Sequence, residues 1–195
     1  MDKSEFRKQA IQNLQGTDLK DYSLTNEDLN ILSGWTYIAM FLVEAKTSLL
    51  LSENKNKEGK FTEMEQVILA NGMFKNFILS YSKCFSSSGK EKISLDAKEI
   101  FSKRPDLLVT HEKILQARNT HVAHNDENDF EVSISMTSEN NNEIILAQTY
   151  TIMTPLSDFK SFSETVEFCE EQVILKFNKK VDKIQTRLGK KISFK

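Results

Sequence analysis

The chain has 195 residues, a formal net charge of -2, 39% hydrophobic residues and 28% charged residues. This length and composition are typical of one globular domain. They exclude a disordered chain, which is poorer in apolar residues, and an integral membrane protein, which is richer. A net charge this close to zero also excludes nucleic-acid binding by overall basicity, so a local basic patch would be required.

The two cysteines, Cys84 and Cys169, are not in a CxxC pair, which argues against a disulfide framework and a zinc knuckle. We interpret them as buried thiols of a reducing compartment. The first residues, Met-Asp-Lys-Ser-Glu, lack the apolar core of a signal peptide. The most apolar run, residues 35–43, is too short to cross a bilayer. These features predict a cytoplasmic protein without a membrane partner.

The first part of the chain has the spacing of helices. An amphipathic helix is expected at residues 4–15. Thr25, followed three residues later by Asp28, resembles a capping box that opens a long helix to about Leu51. Because that helix is apolar nearly all round from residue 31 to residue 43, we expect it to be central and covered on most sides.

Further helices follow in the middle of the chain. After a polar connection at residues 53–60, Thr62 and a glutamate three residues later predict a helix over about residues 62–85. A short helix is expected over residues 94–103. Because proline is favoured at the first position of a helix, another helix should run over residues 105–124.

The spacing of apolar residues changes after that helix. Apolar and polar residues alternate over residues 131–137, and residues 144–153 are rich in strand-forming types, which predicts a β-hairpin at about residues 130–153. A final helix is expected over about residues 157–188. No repeat or linker divides the chain, so we predict a single mostly helical domain, residues 1–195, built as an up-and-down bundle with one inserted hairpin.

The predicted final helix is acidic in its first half and basic in its second. Residues 158–171 contain five acidic residues, and residues 176–191 contain seven basic residues against one acidic residue. Acids near the positive end of the helix dipole and bases near the negative end explain this as a solvated helix. The alternative is that the basic half contacts a phosphate backbone.

Arg118 falls within an apolar helical face. On a regular helix, Leu107 and Ile114 lie within about 40 degrees of it, and His111 lies in the same stripe. An unpaired guanidinium is expensive to bury. We therefore expect Arg118 to have a partner. That partner would be an acidic residue such as Glu44, a second subunit, or a phosphate.

Residues 115–126, LQARNTHVAHND, resemble the signature of HEPN-domain proteins. That signature is an arginine, usually followed by a polar residue, and then a histidine after four to six intervening residues. Five residues separate Arg118 from His124, and Asn119 fills the polar position. His121 stands too close to Arg118 for this spacing. The pattern of Arg-Asn followed by Ala-His is typical of HEPN members from bacterial toxin and phage-defence systems.

The resemblance, which covers about residues 25–125, implies a helical bundle that forms a homodimer with two motifs in one cleft. Catalytic HEPN members are metal-independent endoribonucleases. His124 would then be the general acid or base, and Arg118 would stabilise charge on the phosphoryl oxygens. Asn119 would orient the histidine or the phosphate. The expected partners are a second copy, RNA and an antitoxin protein, with no cofactor.

Two other interpretations stay open. A non-catalytic HEPN-like module would use Arg118 and His124 to bind RNA, nucleotide or a partner protein. A helical interaction protein would simply hold Arg118 in an ion pair. In each case His121, His111 and Glu44 are candidates for supporting roles.

A metal site is not expected. The chain has three histidines, His111, His121 and His124, with Asp126 and Asp129 nearby. Their spacing matches no usual set of zinc or iron ligands.

Overall fold

The computed structural model describes residue 5 and residues 24–57, 64–86, 93–122, 131–140, 142–152 and 154–194. Within these ranges the helices are α1 (Asn26–Lys57), α2 (Met64–Lys83), α3 (Ala97–Ile100), α4 (Pro105–Ala117) and α5 (Phe159–Leu188). A π-helical turn, Arg118–Val122, continues α4, and a 3-10 turn, Leu156–Asp158, precedes α5. The strands are β1 (Glu131–Glu139) and β2 (Ile144–Ile152). The predicted fold class, mostly helical with one hairpin, is confirmed.

Helix α1 begins at the predicted capping pair. The Thr25 amide donates to Asp28 Oδ2 at 3.0 Å, and the Asp28 amide donates to Thr25 Oγ1 at 3.1 Å. These reciprocal bonds satisfy backbone donors at the start of the helix. The helix runs past its predicted end, so residues 53–57 of the expected polar connection are helical. An i,i+4 ion pair between Glu53 and Lys57, 2.7 Å long, supports this last turn.

Helix α1 packs antiparallel against both α2 and α5. On the α2 side, Ser52 Oγ donates to the Ala70 carbonyl at 2.9 Å. On the α5 side, Lys46 Nζ lies 3.2 Å from Glu170 Oε2. The core between the helices is aromatic and aliphatic, and its largest fully buried side chains are Tyr81, Phe74, Phe77, Phe101, Ile38, Leu42, Ile78, Ile114 and Val166.

Both thiols lie in this core. Cys84 and Cys169 are free and buried, as predicted. Burial raises the pKa of the Cys84 thiol to about 12 and that of the Cys169 thiol well above its usual value. Both side chains therefore remain protonated and unreactive at neutral pH.

The prediction that α1 is covered on most sides is wrong. Tyr37, Met40, Val43 and Leu50 are between 47 and 62% exposed. Their spacing of three, three and seven residues places them on one face of the helix. We call this face the outer stripe of α1. The contacts with α2 and α5 bury the opposite side, so α1 lies at the surface of the bundle rather than at its centre.

Helix α3 is shorter than predicted, whereas α5 has its predicted length. The helix expected over residues 94–103 is limited to Ala97–Ile100, because Asp96 caps it by accepting from the Glu99 amide at 3.1 Å. Helix α5 matches its prediction and ends at Gly189, whose φ of 62° is the left-handed conformation favoured after a helix. Within the described ranges, none of the helices combines the length and hydropathy that crossing a bilayer requires.

The hairpin is held together by the antiparallel pairing of its two strands. Strands β1 and β2 pair antiparallel from Glu131 opposite Ile152 to Glu139 opposite Ile144. Asn140 closes the turn, because its Oδ1 accepts from the amides of Asn142 and Glu143. Only Glu131 and Ile152, at the base, are partly buried, and the other strand residues are exposed. The hairpin therefore projects from the bundle.

Candidate functional site

Arg118 and Asn119 lie on the π-helical turn, and both side chains are exposed. The prediction that Arg118 lies inside an apolar face is wrong. Helix α4 buries Leu107, His111 and Ile114 of the predicted stripe together with Ala117, but it does not bury Arg118. Because Ala117 takes the last buried position of α4, the guanidinium of Arg118 extends into solvent. The apolar stripe of this helix is buried within the single chain, so Arg118 does not need a second subunit to offset the cost of a buried charge.

Glu44 does not serve as the partner of Arg118. Glu44 is exposed on α1, and its Oε1 accepts from Asn76 Nδ2 at 3.4 Å. Across the part of the chain that the structure describes, no ion pair involves Arg118. The intramolecular ion pair expected from the sequence is therefore not formed with Glu44.

The π turn separates outward from inward side chains. The Thr120 hydroxyl donates to the Gln116 carbonyl at 3.1 Å, and such back-bonding loosens the last turn of a helix. Three residues after the exposed Arg118, His121 is fully buried, with Nε2 3.3 Å from Asn71 Oδ1. π turns are rare and recur at functional sites. This turn holds its histidine inside while it presents Arg118 and Asn119 to solvent.

A polar cluster at the base of the hairpin surrounds His121. We call Asn71, Lys75, His121 and Glu131 the base cluster. Glu131 Oε1 lies 2.9 Å from Lys75 Nζ and 3.8 Å from His121 Nδ1. The hydrogen bond from Lys75 is the main cause of the lowered pKa of Glu131, so this carboxylate is ionised at neutral pH. The cluster ties α2, the π turn and β1 together.

The base cluster was missed in the sequence for a simple reason. Lys75 and Glu131 are 56 residues apart, and Asn71 and His121 are 50 residues apart. None of these contacts has a local spacing that a motif could show. The one available signal was a charged residue, Glu131, at the first position of a strand whose next seven residues are uncharged.

We expect His121→Ala to lower the free energy of unfolding by about 1–3 kcal/mol, because it removes a buried ring and one contact of both Asn71 and Glu131. Urea unfolding measures this change. Asn119→Ala is the matched control, because Asn119 lies on the same turn but is exposed, and it should change stability by about 0.5 kcal/mol at most. If both variants were equally stable, His121 would not be a structural part of the base cluster.

His111 lies in the aromatic core and not at the surface that presents Arg118. Its Nδ1 is 2.9 Å from the Tyr81 hydroxyl, and its ring centroid is 4.3 Å from that of Phe85. Burial lowers the pKa of His111 to about 4, which keeps the ring neutral at physiological pH. The structure thus gives His111 a packing role, together with Tyr81.

His124 falls outside the described residues, as do Asp126 and Asp129. The expected convergence of Arg118 and His124 therefore stays a prediction. Among the residues with described positions, no three His, Cys, Asp or Glu side chains lie close enough to hold a metal ion.

The basic half of α5 lies far from the π turn. It borders a cavity of about 240 Å³ lined by Glu27, Asp28, Ile31, Lys180, Lys183, Ile184 and Arg187. Arg187 already pairs there with the buried Asp28. Asn71 contacts His121 of the π turn, and the preceding residue, Ala70, accepts a hydrogen bond from Ser52 of α1. Ser52 lies 24 positions after Asp28 on α1, which corresponds to about 36 Å along the helix. A nucleic acid touching both regions would have to follow the whole length of the bundle.

No family model, curated protein or solved structure matches the chain. The HEPN resemblance therefore rests on the residues of the motif and on the mostly helical fold.

Proposed function

We propose that the protein is a metal-independent endoribonuclease of HEPN type, acting as a toxin or phage-defence effector. The observation that supports this most is the exposure of Arg118 and Asn119, next to each other on a π turn at the end of α4. An arginine without an ion pair in the described chain is open to an external anion. Its planar guanidinium can bind a phosphate through two parallel hydrogen bonds.

In the proposed reaction His124 acts as the general base or acid. As a base it takes the proton of a ribose 2'-hydroxyl, and the 2'-oxygen then attacks the neighbouring phosphorus. The bond from phosphorus to the 5'-oxygen breaks, and that oxygen is protonated as it leaves. The products are a 2',3'-cyclic phosphate and a free 5'-hydroxyl. Arg118 stabilises the negative charge on the non-bridging phosphoryl oxygens, and Asn119 orients the phosphate or the histidine.

The proposal includes a homodimer, in which two copies of the motif share one cleft. A second copy of His124 would allow one histidine to accept a proton and the other to donate one. An antitoxin protein that covers the exposed Arg118 is the expected inhibitor. RNA is the expected substrate, and it would enter from the solvent side of the π turn.

A non-catalytic HEPN-like module is the alternative. The observation that favours it is the burial of His121 in the base cluster. Of the two histidines that follow Arg118, this one has a structural role. In this case Arg118 would bind RNA, a nucleotide or a partner protein without chemistry.

The decisive experiment is RNA cleavage by the purified chain in excess chelator. We expect cleavage to persist, with cyclic phosphate at the new 3' ends. RNA carrying 2'-O-methyl groups and DNA of the same sequence should stay intact, because the 2'-hydroxyl is the nucleophile. RNA binding without cleavage would support the module instead. Cleavage that stops when metal is removed would contradict the proposed mechanism.

A further inference from the structure

The hairpin has an apolar face that nothing in the described chain covers. Opposite and alternating residues of paired strands share a face, and the register therefore places Ser138, Thr149 and Thr151 together with the following apolar side chains: Val132, Ile134, Met136, Ile145 and Ala147. The large apolar side chains among them are between 43 and 66% exposed. We call this set the arm face. The opposite face carries exposed apolar residues on β2 only, namely Ile144, Leu146 and Tyr150.

The edges of the hairpin are also unprotected. Residues 132–138 and 144–152 include no charged residue and no proline. Exposed strands normally carry such residues, which prevent unwanted pairing. A lone two-stranded hairpin is also only marginally stable in water. An uncharged hairpin with an exposed apolar face therefore requires a covering surface.

The outer stripe of α1 is a second uncovered apolar surface in the same chain. Leu79 and Ile68 extend it onto α2, where they are 39 and 57% exposed. From Tyr37 to Leu50 the stripe is about 20 Å long, and a nine-residue strand is about 30 Å long. The hairpin is thus long enough to cover the whole stripe, and both surfaces expose large apolar side chains.

The base of the hairpin is fixed to its own bundle. Glu131 is held by Lys75 and lies near His121, so β1 begins at a defined place beside the π turn. Beyond that base, the strands stay exposed and leave the outer stripe of their own α1 uncovered. The partner that can satisfy both surfaces with one kind of contact is a second copy of the chain.

We propose that the hairpin is a dimerisation arm, whose arm face packs on the outer stripe of a second copy while the arm of that copy packs in return. This exchange is closed by a two-fold axis. A hairpin nine residues long and two strands wide covers about 300 Å² on one face. Two arms and the two surfaces beneath them then bury about 1,200 Å², which reaches the range of stable dimers. The proposal holds whether or not the chain cleaves RNA.

Sedimentation of the full chain without RNA tests this exchange. We expect a dimer, and we expect Ile134→Glu on the arm face and Met40→Glu on the outer stripe each to raise its Kd by at least about 30-fold. Ser135→Glu is the control for the arm, because it adds the same charge to the opposite face of β1. Leu175→Glu is the control for the stripe, because Leu175 is an exposed apolar residue of α5. Both controls should leave the Kd unchanged.

A mixture of the two disrupted variants gives the sharpest result. The Met40→Glu copy keeps an intact arm and the Ile134→Glu copy keeps an intact outer stripe, so the mixture should form a heterodimer at concentrations where each variant by itself is monomeric. A monomer at every concentration would overturn the proposal. An unchanged Kd for Met40→Glu alone would mean that hairpins pair with each other, and an unchanged Kd for Ile134→Glu alone would mean that the helices pair; each result would overturn it as well.

Discussion

Arg118→Ala should slow RNA cleavage by about 100- to 1,000-fold, because the transition state loses the donors that stabilise the charge on its phosphoryl oxygens. The folded state should not suffer. Arg118 is exposed and has no ion pair within the described chain, and surface substitutions of this kind usually change stability by about 0.5 kcal/mol or less. Single-turnover cleavage in excess chelator and the circular dichroism of the variant measure the two effects separately.

Lys113→Ala is the matched control for this loss. Lys113 is an exposed cation on α4, but it lies outside the motif, so its removal should leave the cleavage rate nearly unchanged. His124→Ala should slow cleavage by about 100- to 10,000-fold as the general acid or base is lost. His121→Ala should have a much smaller direct effect. If the two histidine variants lost activity equally, the helix face rather than the motif spacing would organise the site. If Arg118→Ala cleaved RNA normally, the proposed role of the motif would be wrong.

Acid should destabilise the fold through His111 at a pH where most carboxylates are still ionised. Its pKa is lowered from 6.5 to about 4 by burial, so the unfolded chain binds a proton that the folded chain refuses. The stabilisation from the neutral ring is therefore fully present above pH 6.5 and is lost as the pH falls towards 4. The largest loss that this shift allows is about 3 kcal/mol. Urea unfolding at a series of pH values measures it.

The double variant Tyr81→Phe/His111→Leu provides the comparison. It removes both members of a buried hydrogen-bonded pair together, so that no polar atom of the pair is left without its partner. The stability of this variant should change little between pH 6.5 and pH 4.5, where that of the natural chain falls. An unchanged pH dependence in the variant would show that another group causes the acid sensitivity.

The elements that the sequence predicted correctly are those whose causes lie within a few residues of each other. Thr25 and Asp28 predicted the start of α1, because a capping box is formed by side chains and amides three positions apart. The alternation over residues 131–137 predicted the hairpin, because the period of a strand is a local property. The burial of both thiols also followed, since free cysteines are usually small core residues. Of the candidate site, the sequence supplied the motif, and the proximity of Arg118 and His124 stays a prediction.

Which faces of the helices are covered depends on how the helices pack in three dimensions. The helical wheel placed Arg118 in an apolar stripe, yet Ala117 is buried in the bundle and Arg118 is exposed to solvent. The periodicity of a helix does not show how far along it the neighbouring helices cover it. For the same reason α1 is apolar nearly all round but covered on one side only. The base cluster depends on Lys75 and Glu131, which meet only when α2 and β1 are in place. Contacts over such separations arise from packing, and no local pattern in the chain encodes them.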